Sequence, residues 1–255
     1  MKRVLIIDDD RNMNEFVSRV LQSKLHCRVS SAYNGIDAFS FLFNEKFDFI
    51  ILDISMPLIS GVEVLEIIKG DDFLKNIPVV MMTANREREM ISKIISLGII
   101  DYMPKPLTLD FTVKKISEVI KKLDNTDASE PNVSELAFSN KILIADKSQN
   151  LLSKIKPNFS ADEVLLAESG LDALKLYIKF RPLKVYLGLG LPIINETIMI
   201  KAIRSFDINK NTSLIVCKEN ENLTAEEKNK VNDVVAFSRN LDELAKKITE
   251  KLKKS

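Results

Sequence analysis

Short apolar runs rich in β-branched residues alternate with amphipathic stretches, and the whole alternation occurs twice along the chain. "RVLII" (3–7), "CRVSSA" (27–32), "FDFIIL" (47–52), "IPVVMM" (77–82) and "IIDYM" (99–103) have the length and composition of strands. Between them, "NEFVSRVLQSKL" (14–25) sets Phe16, Val17, Val20 and Leu21 on one helical face, and "GIDAFSFLFNEK" (35–46) does the same with Ile36, Phe39 and Leu42 or Phe43. "GVEVLEIIKG" (61–70) reads as a helix stopped by Gly70, and "REREMISKIISLG" (86–98) as one stopped by Gly98. "DFTVKKISEVIKKL" (110–123) closes the series with lysines in its last turns, where the helix dipole favours them. Five such strand–helix steps predict a parallel sheet with helices on both faces. The continuous apolar strands agree, because parallel strands are buried on both sides.

The pattern then restarts. "KILIAD" (141–146) lies over "RVLIID" (3–8), "ESGLDALKLY" (168–177) over "YNGIDAFSFL" (33–42), and "LGLGLP" (187–192) over "LDISMP" (52–57). "SLIVCKEN" (213–220) lies over "VVMMTAN" (79–85) with one extra residue, and 234–254 follows 100–122 in outline. The offset drifts only from 138 to about 134, which marks a tandem duplication of one fold rather than a solenoid repeat. "DNTDASEPNVSEL" (124–136) is polar, carries Pro131 and reads as a linker. The expected organisation is a first domain over 1–124, a linker over 125–139 and a second domain over 140–255. Pro157 sits early in the second domain's first helical segment and predicts that this helix is short.

A chain of 255 residues suits two domains of this size, and 45% apolar with 29% charged residues is a globular composition. Its 37 basic and 36 acidic side chains give no global attraction to nucleic acid or an anionic membrane. Cys27 and Cys217 form no CxxC and read as buried thiols of a reducing compartment. No stretch approaches the ~20 apolar residues of a membrane span. The cytoplasm is the expected location. A single histidine, His26, excludes multi-histidine metal sites and a Ser-His-Asp triad in both halves.

The chemistry-bearing residues of the first copy fall at strand ends. Asp8 and Asp9 follow the first strand, Asp53 ends the third, Thr83 the fourth, and Lys105 follows the fifth. Open α/β sheets bind ligands beyond the carboxyl ends of their strands. In the order 2-1-3-4-5, strands one and three are neighbours about 4.8 Å apart, so Asp8, Asp9 and Asp53 converge. Three close carboxylates repel one another unless a cation is present, and Mg²⁺ takes oxygen ligands of this kind. A carboxylate beside it can attack phosphorus to form an acyl phosphate. Lys105 would neutralise charge on the phosphoryl group, and the Thr83 hydroxyl could donate to one of its oxygens.

These residues give the first copy, over 1–124, a resemblance to the CheY-like receiver domains of two-component response regulators. The motifs are the acidic pair Asp8-Asp9, Asp53 four residues before Pro57, Thr83, and Lys105-Pro106. The resemblance implies two flavodoxin-like (βα)5 receiver domains of order 2-1-3-4-5. It implies Asp53 as phosphoacceptor, Asp8, Asp9, Asp53 and the Ser55 carbonyl at Mg²⁺, Lys105 as phosphate contact and a cis Lys105–Pro106 bond. It also implies Thr83 as switch hydroxyl, Tyr102 as the switch aromatic, and Ser55 and Asn85 at positions that tune phosphoryl lifetime. Implied partners are a histidine kinase or phosphotransfer protein, a downstream protein, and a second copy through the face of the fourth helix, fifth strand and fifth helix. Neither nucleic acid nor a membrane is expected as a partner.

In the second copy Asp8 becomes Asp146, Asp9 becomes Lys147, Asp53 becomes Gly188 and Thr83 becomes Lys218, and the outline alignment sets Arg239 on Lys105 and Asn240 on Pro106. Glycine cannot accept a phosphoryl group, so this half resembles a pseudo-receiver. Its set of Asp146, Lys147, Lys218 and Arg239 has a formal charge of +2. That leaves two expectations: an anion site, or lysines in solvent with Arg239 paired to Asp146. The face of the short first helix and the last helix is a candidate protein-binding surface. No output domain or enzymatic function is expected, and signalling would run through contacts of the two domains. Two other readings stand beside it. One is a Mg²⁺-dependent phosphohydrolase built on Asp8 and Asp10. The other is a phosphate sink or relay intermediate.

Overall fold

The computed structural model describes residues 1–84, 88–124, 138–207, 210–220, 223 and 225–254. The chain divides between residues 136 and 137 into two compact units.

In unit 1 the strands are β1 (Arg3–Ile7), β2 (Arg28–Ala32), β3 (Phe49–Asp53), β4 (Val79–Thr83) and β5 (Asp101–Pro104). They alternate with α1 (Arg11–Leu25), α2 (Gly35–Asn44), α3 (Gly61–Gly70), α4 (Arg88–Ser96) and α5 (Leu109–Asp124). The sheet is parallel, in the order β2-β1-β3-β4-β5. Strand alternation divides the core: Val4, Ile6, Phe49, Ile51, Val80 and Met82 pack with Val17 and Leu21 of α1 and with Ile116 and Val119 of α5. Leu5, Ile7, Ile50 and Leu52, on alternate strand positions, are buried as well. Helix α1 begins three residues before its apolar periodicity, because the Asp10 side chain accepts from the amides of Asn12 and Met13. The Ser60/Glu63 capping box starts α3 at Gly61, as the apolar pattern predicts.

Unit 2 repeats the layout. Its strands are β6 (Ser139–Ala145), β7 (Val164–Ala167), β8 (Pro182–Leu187), β9 (Ser213–Lys218) and β10 (Asp233–Ala236). Its helices are α6 (Gln149–Ile155), α7 (Gly170–Phe180), α8 (Glu196–Phe206), α9 (Ala225–Lys228) and α10 (Leu241–Lys254). The sheet runs β7-β6-β8-β9-β10, the same parallel order as unit 1. α6 is short as Pro157 predicts: after seven residues it gives way to a 3₁₀ turn, Lys156–Asn158. Residues 125–137 of the expected linker lie outside the described residues, and Ser139, placed in it by the sequence, opens β6.

Candidate functional site

Register brings the acids of unit 1 together. Ile7 pairs with Leu52, so Asp8 and Asp53 leave the sheet from adjacent strands at its carboxyl edge. Asp8 and Asp53 are buried and Asp9 is exposed, and their carboxylate oxygens lie within 4.8 Å of one another. The Asp8 Oδ1 accepts from the Asp10 amide at 2.9 Å, and Asp53 Oδ2 accepts from the Ser55 amide at 3.0 Å. The remaining oxygens face one cation: Lys105 Nζ stands 2.9 Å from Asp8 Oδ2 and 2.7 Å from Asp53 Oδ1.

The lysine is delivered by the backbone beyond β5. Its amide donates to the Thr83 carbonyl at 2.7 Å, and the Lys105–Pro106 bond is cis. Thr83, buried, ends β4 beside it. Burial pushes the Asp8 carboxyl above its ordinary value; the Lys105 hydrogen bond opposes this and the Asp53 charge adds to it. Burial alone would lower Lys105, but its hydrogen bonds to Asp53 and Asp8 and their charges outweigh it and hold the ammonium above its usual value. Ser55 is exposed, and Tyr102 on β5 is half-buried. Asn85 lies outside the described residues.

Two supporting residues escaped the sequence reading. Asn14, buried on α1, donates to the carbonyls of Asp8 (3.4 Å) and Ala32 (3.2 Å) and ties the ends of β1 and β2 together. Gly61 packs its Cα on the Asp53 backbone so closely that a Cβ there would stand 1.8 Å from the Asp53 carbonyl oxygen. A Cβ on Gly170 would stand 1.7 Å from Ile194 O, but Gly170 matches Gly35 in the duplication, so the repeat gave no signal for Gly61. Asp10, the second acid that a hydrolase would need, is exposed and occupied as the α1 cap.

Unit 2 shows what the substitutions did. Asp146 keeps the first-strand position, and its Oδ1 accepts from the Ser148 amide at 2.9 Å as Asp8 does from Asp10. Its other oxygen has turned into the space opposite Gly188: a Cβ on that glycine would lie 2.1 Å from Asp146 Oδ2. The expected match of Lys105 to Arg239 is incorrect. Ala236 pairs with Lys218 and the Phe237 amide donates to the Lys218 carbonyl at 2.7 Å, so Phe237 occupies the place of Lys105. β10 ends early relative to the apolar pattern, and the offset moves with it. Lys218 is not free in solvent either; its ammonium pairs with Glu227 at 2.6 Å. Asp146 and Glu227 against Lys147 and Lys218 leave this edge formally neutral, which removes the basis for an anion site of charge +2. Beneath it, Tyr186 on β8 is fully buried; its hydroxyl faces the Asp146 carboxylate and the Cys217 thiol, and among the described residues no group meets it in good hydrogen-bond geometry. Burial, with the nearby Cys217 thiol and Asp146 carboxylate, raises its ionisation far above the ordinary value.

A parallel sheet of order 2-1-3-4-5, with buried acids from adjacent strands bridged by a lysine at its carboxyl edge, is the architecture of a receiver module. A family profile described as the response regulator receiver domain matches residues 4–117. The chemotaxis protein CheY of Pseudomonas aeruginosa is 29% identical over 122 residues, 48% of this chain and 98% of that protein. The chemotaxis protein CheY-3 of Vibrio cholerae is 31% identical over 121 residues, 48% of this chain and 93% of that protein. Among solved structures, the Vibrio cholerae chemotaxis protein CheY4 is 27% identical, covering 47% of this chain and 98% of its own, with a TM-score of 0.44. The chain belongs to the response regulator receiver family of two-component signalling, with the receiver in its first half and a second sheet of the same fold in its second. Receiver domains bind Mg²⁺ at an acidic pocket and interact with histidine kinases or phosphotransfer proteins. Among the described residues, no helix is long and apolar enough to cross a membrane.

Proposed function

We propose that Asp53 accepts a phosphoryl group from a histidine kinase or phosphotransfer protein, and that the two units signal through protein contacts. The observation that carries this reading is the Lys105 ammonium held between Asp8 and Asp53. It leaves Asp53 Oδ2 on a backbone amide and presents a cation where charge collects on a transferring phosphoryl group. Three acids against one lysine leave a formal −2 in a cluster 4.8 Å across, and that donor set fits Mg²⁺. Asp8, Asp9, Asp53 and the Ser55 carbonyl would hold it. When bound, Mg²⁺ neutralises phosphoryl oxygens.

In the transfer, an Asp53 carboxylate oxygen forms a bond to phosphorus while the bond from phosphorus to the donor breaks. The electron pair leaves with the donor: histidine nitrogen in a protein donor, acetate in acetyl phosphate. Attack of water on phosphorus later releases inorganic phosphate and restores the carboxylate. Lys105, freed from Asp53, would follow the phosphoryl group, and Thr83 would donate its hydroxyl to another phosphoryl oxygen. Thr83 and Tyr102 would carry the change to the face of α4, β5 and α5, where the downstream protein or a second copy would bind. The second unit, with Gly188 in place of the acceptor, would contribute surface without chemistry.

The test is intact mass after incubation with acetyl phosphate and Mg²⁺. One added phosphoryl group is expected on the native chain and none on Asp53→Ala. Phosphoryl transfer to Asp53→Ala, or continuous turnover of phosphate esters by the native chain, refutes the reading.

A further inference from the structure

The duplication provides an internal reference for the second unit. Helix α1 has 15 residues, whereas α6 has 7 and runs into a three-residue 3₁₀ turn, so more than one helical turn of cover is missing from the same side of the second sheet. In unit 1 that part of α1 lays the fully buried Leu21 into the cluster that contains Phe49. In unit 2 the register places a lysine at the phenylalanine's position: Val4 pairs with Phe49, and Ile142 with Lys184. A lysine on a central strand, facing the helical layer, is tolerated because the helix that would bury it has ended. What the missing turns leave is a solvent-open cleft of about 440 Å³.

The chemistry of the cleft is mixed in a directed way. Ile142, Pro157, Phe159 and Leu252 supply apolar wall. Lys184 donates one N–H to the Leu252 carbonyl at 2.8 Å, which fixes its ammonium at the end of α10. Lys253 lies over the Phe159 ring, 5.6 Å from its centroid. Glu163 is the acidic lining residue, so two ammonium groups face one carboxylate, a formal +1. A helix end can be capped by a surface lysine without a cleft; here the cap also orients two remaining N–H donors beside an aromatic wall.

We propose that this cleft binds a small monoanionic carboxylate with an aromatic body. The carboxylate takes the remaining donors of Lys184, and the body lies against Phe159 and Pro157. The lining charge matches one negative charge, and Glu163 opposes a second. The site is remote in kind from the phosphoacceptor edge, since it lies at the strand starts of β6 and β8 and uses none of the acids.

The experiment is methyl and aromatic NMR on the full chain titrated with 1-naphthoate, with neutral 1-naphthalenemethanol as comparator. Saturable shifts at Ile142, Phe159 and Leu252 are expected for naphthoate, and binding of the alcohol should be weaker by about tenfold or more, as loss of a charge-assisted contact implies. Lys184→Met should weaken naphthoate by a similar factor. Ser160→Trp, which fills the exposed rim and leaves Lys184 in place, should abolish binding and keeps the test decisive if Lys184→Met unfolds the unit. No saturable shift, equal binding of acid and alcohol, or undiminished binding to Ser160→Trp overturns the proposal. So do shifts that follow protein concentration alone, which would assign the cleft to a second copy of the chain.

Discussion

Restoring the acceptor in the second unit should fail unless the lysine is restored with it. In unit 1, Lys105 sits 2.9 and 2.7 Å from two acids whose oxygens lie within 4.8 Å of each other. With an effective dielectric of about 20, the two attractions are worth about 12 kcal/mol together and the acid–acid repulsion about 3.5 kcal/mol. Gly188→Asp would recreate the repulsion beside Asp146 with Phe237 in place of the cation, and its Cβ would first have to displace Asp146 Oδ2 from 2.1 Å. Protonating one acid at pH 7 limits the electrostatic cost to about 4 kcal/mol. A loss of about 3–4 kcal/mol in a unit of this size lowers its Tm by roughly 10–15 °C. The assay is calorimetry of the full chain, with the second unit's transition assigned by exchange protection of peptides from β8. Gly188→Asp/Phe237→Lys should recover more than half of the loss, because the Phe237 backbone is already held on the Lys218 carbonyl as Lys105 is on Thr83. An unchanged Tm for Gly188→Asp, or no recovery in the double variant, would falsify this account of the silent edge.

Gly61→Ala should destabilise unit 1 by about 3 kcal/mol, since the new methyl meets Asp53 backbone at 1.8 Å and a backbone cannot turn aside as a side chain can; urea denaturation checks it. Tyr186→Phe should leave unit 2 as stable or more stable by about 1 kcal/mol, because it deletes a buried hydroxyl that no group among the described residues meets in good hydrogen-bond geometry; a clear loss in urea midpoint would show that Asp146 or Cys217 bonds it. Asp101 is held below its ordinary value: burial raises it, but the Lys115 hydrogen bond, the Tyr102 amide and the charges of Lys115 and Lys122 together outweigh that. A depressed carboxyl stabilises the fold above its unfolded value and loses that contribution as pH falls through the folded one. Asp101→Asn should therefore cost about 1 kcal/mol at pH 7 and almost nothing near pH 2, read from denaturation midpoints across that range.

The sequence by itself determined the duplicated parallel sheet. Strand and helix periodicities are local, so "FIILD" and "GVEVLEIIKG" announced β3 and α3 without reference to the rest of the chain. Pro157 likewise dictated a short α6, because the missing amide and the ring act within one turn. Asp8 and Asp53 could be assigned to strand ends, and the strand order made them neighbours. Tertiary structure alone decided how their charges are shared. That Lys105 bridges both acids, that Phe237 rather than Arg239 takes its place in unit 2, and that Lys218 goes to Glu227 all depend on where β5 and β10 end against β4 and β9. The turn of Asp146 over Gly188 was also decided there, as was the cleft beside Lys184, where β8 presents a lysine to the space left beyond the short α6. Each is set by atoms far apart in the chain that compete for one space, and periodicity carries no information about who fills a vacancy that a distant substitution has opened.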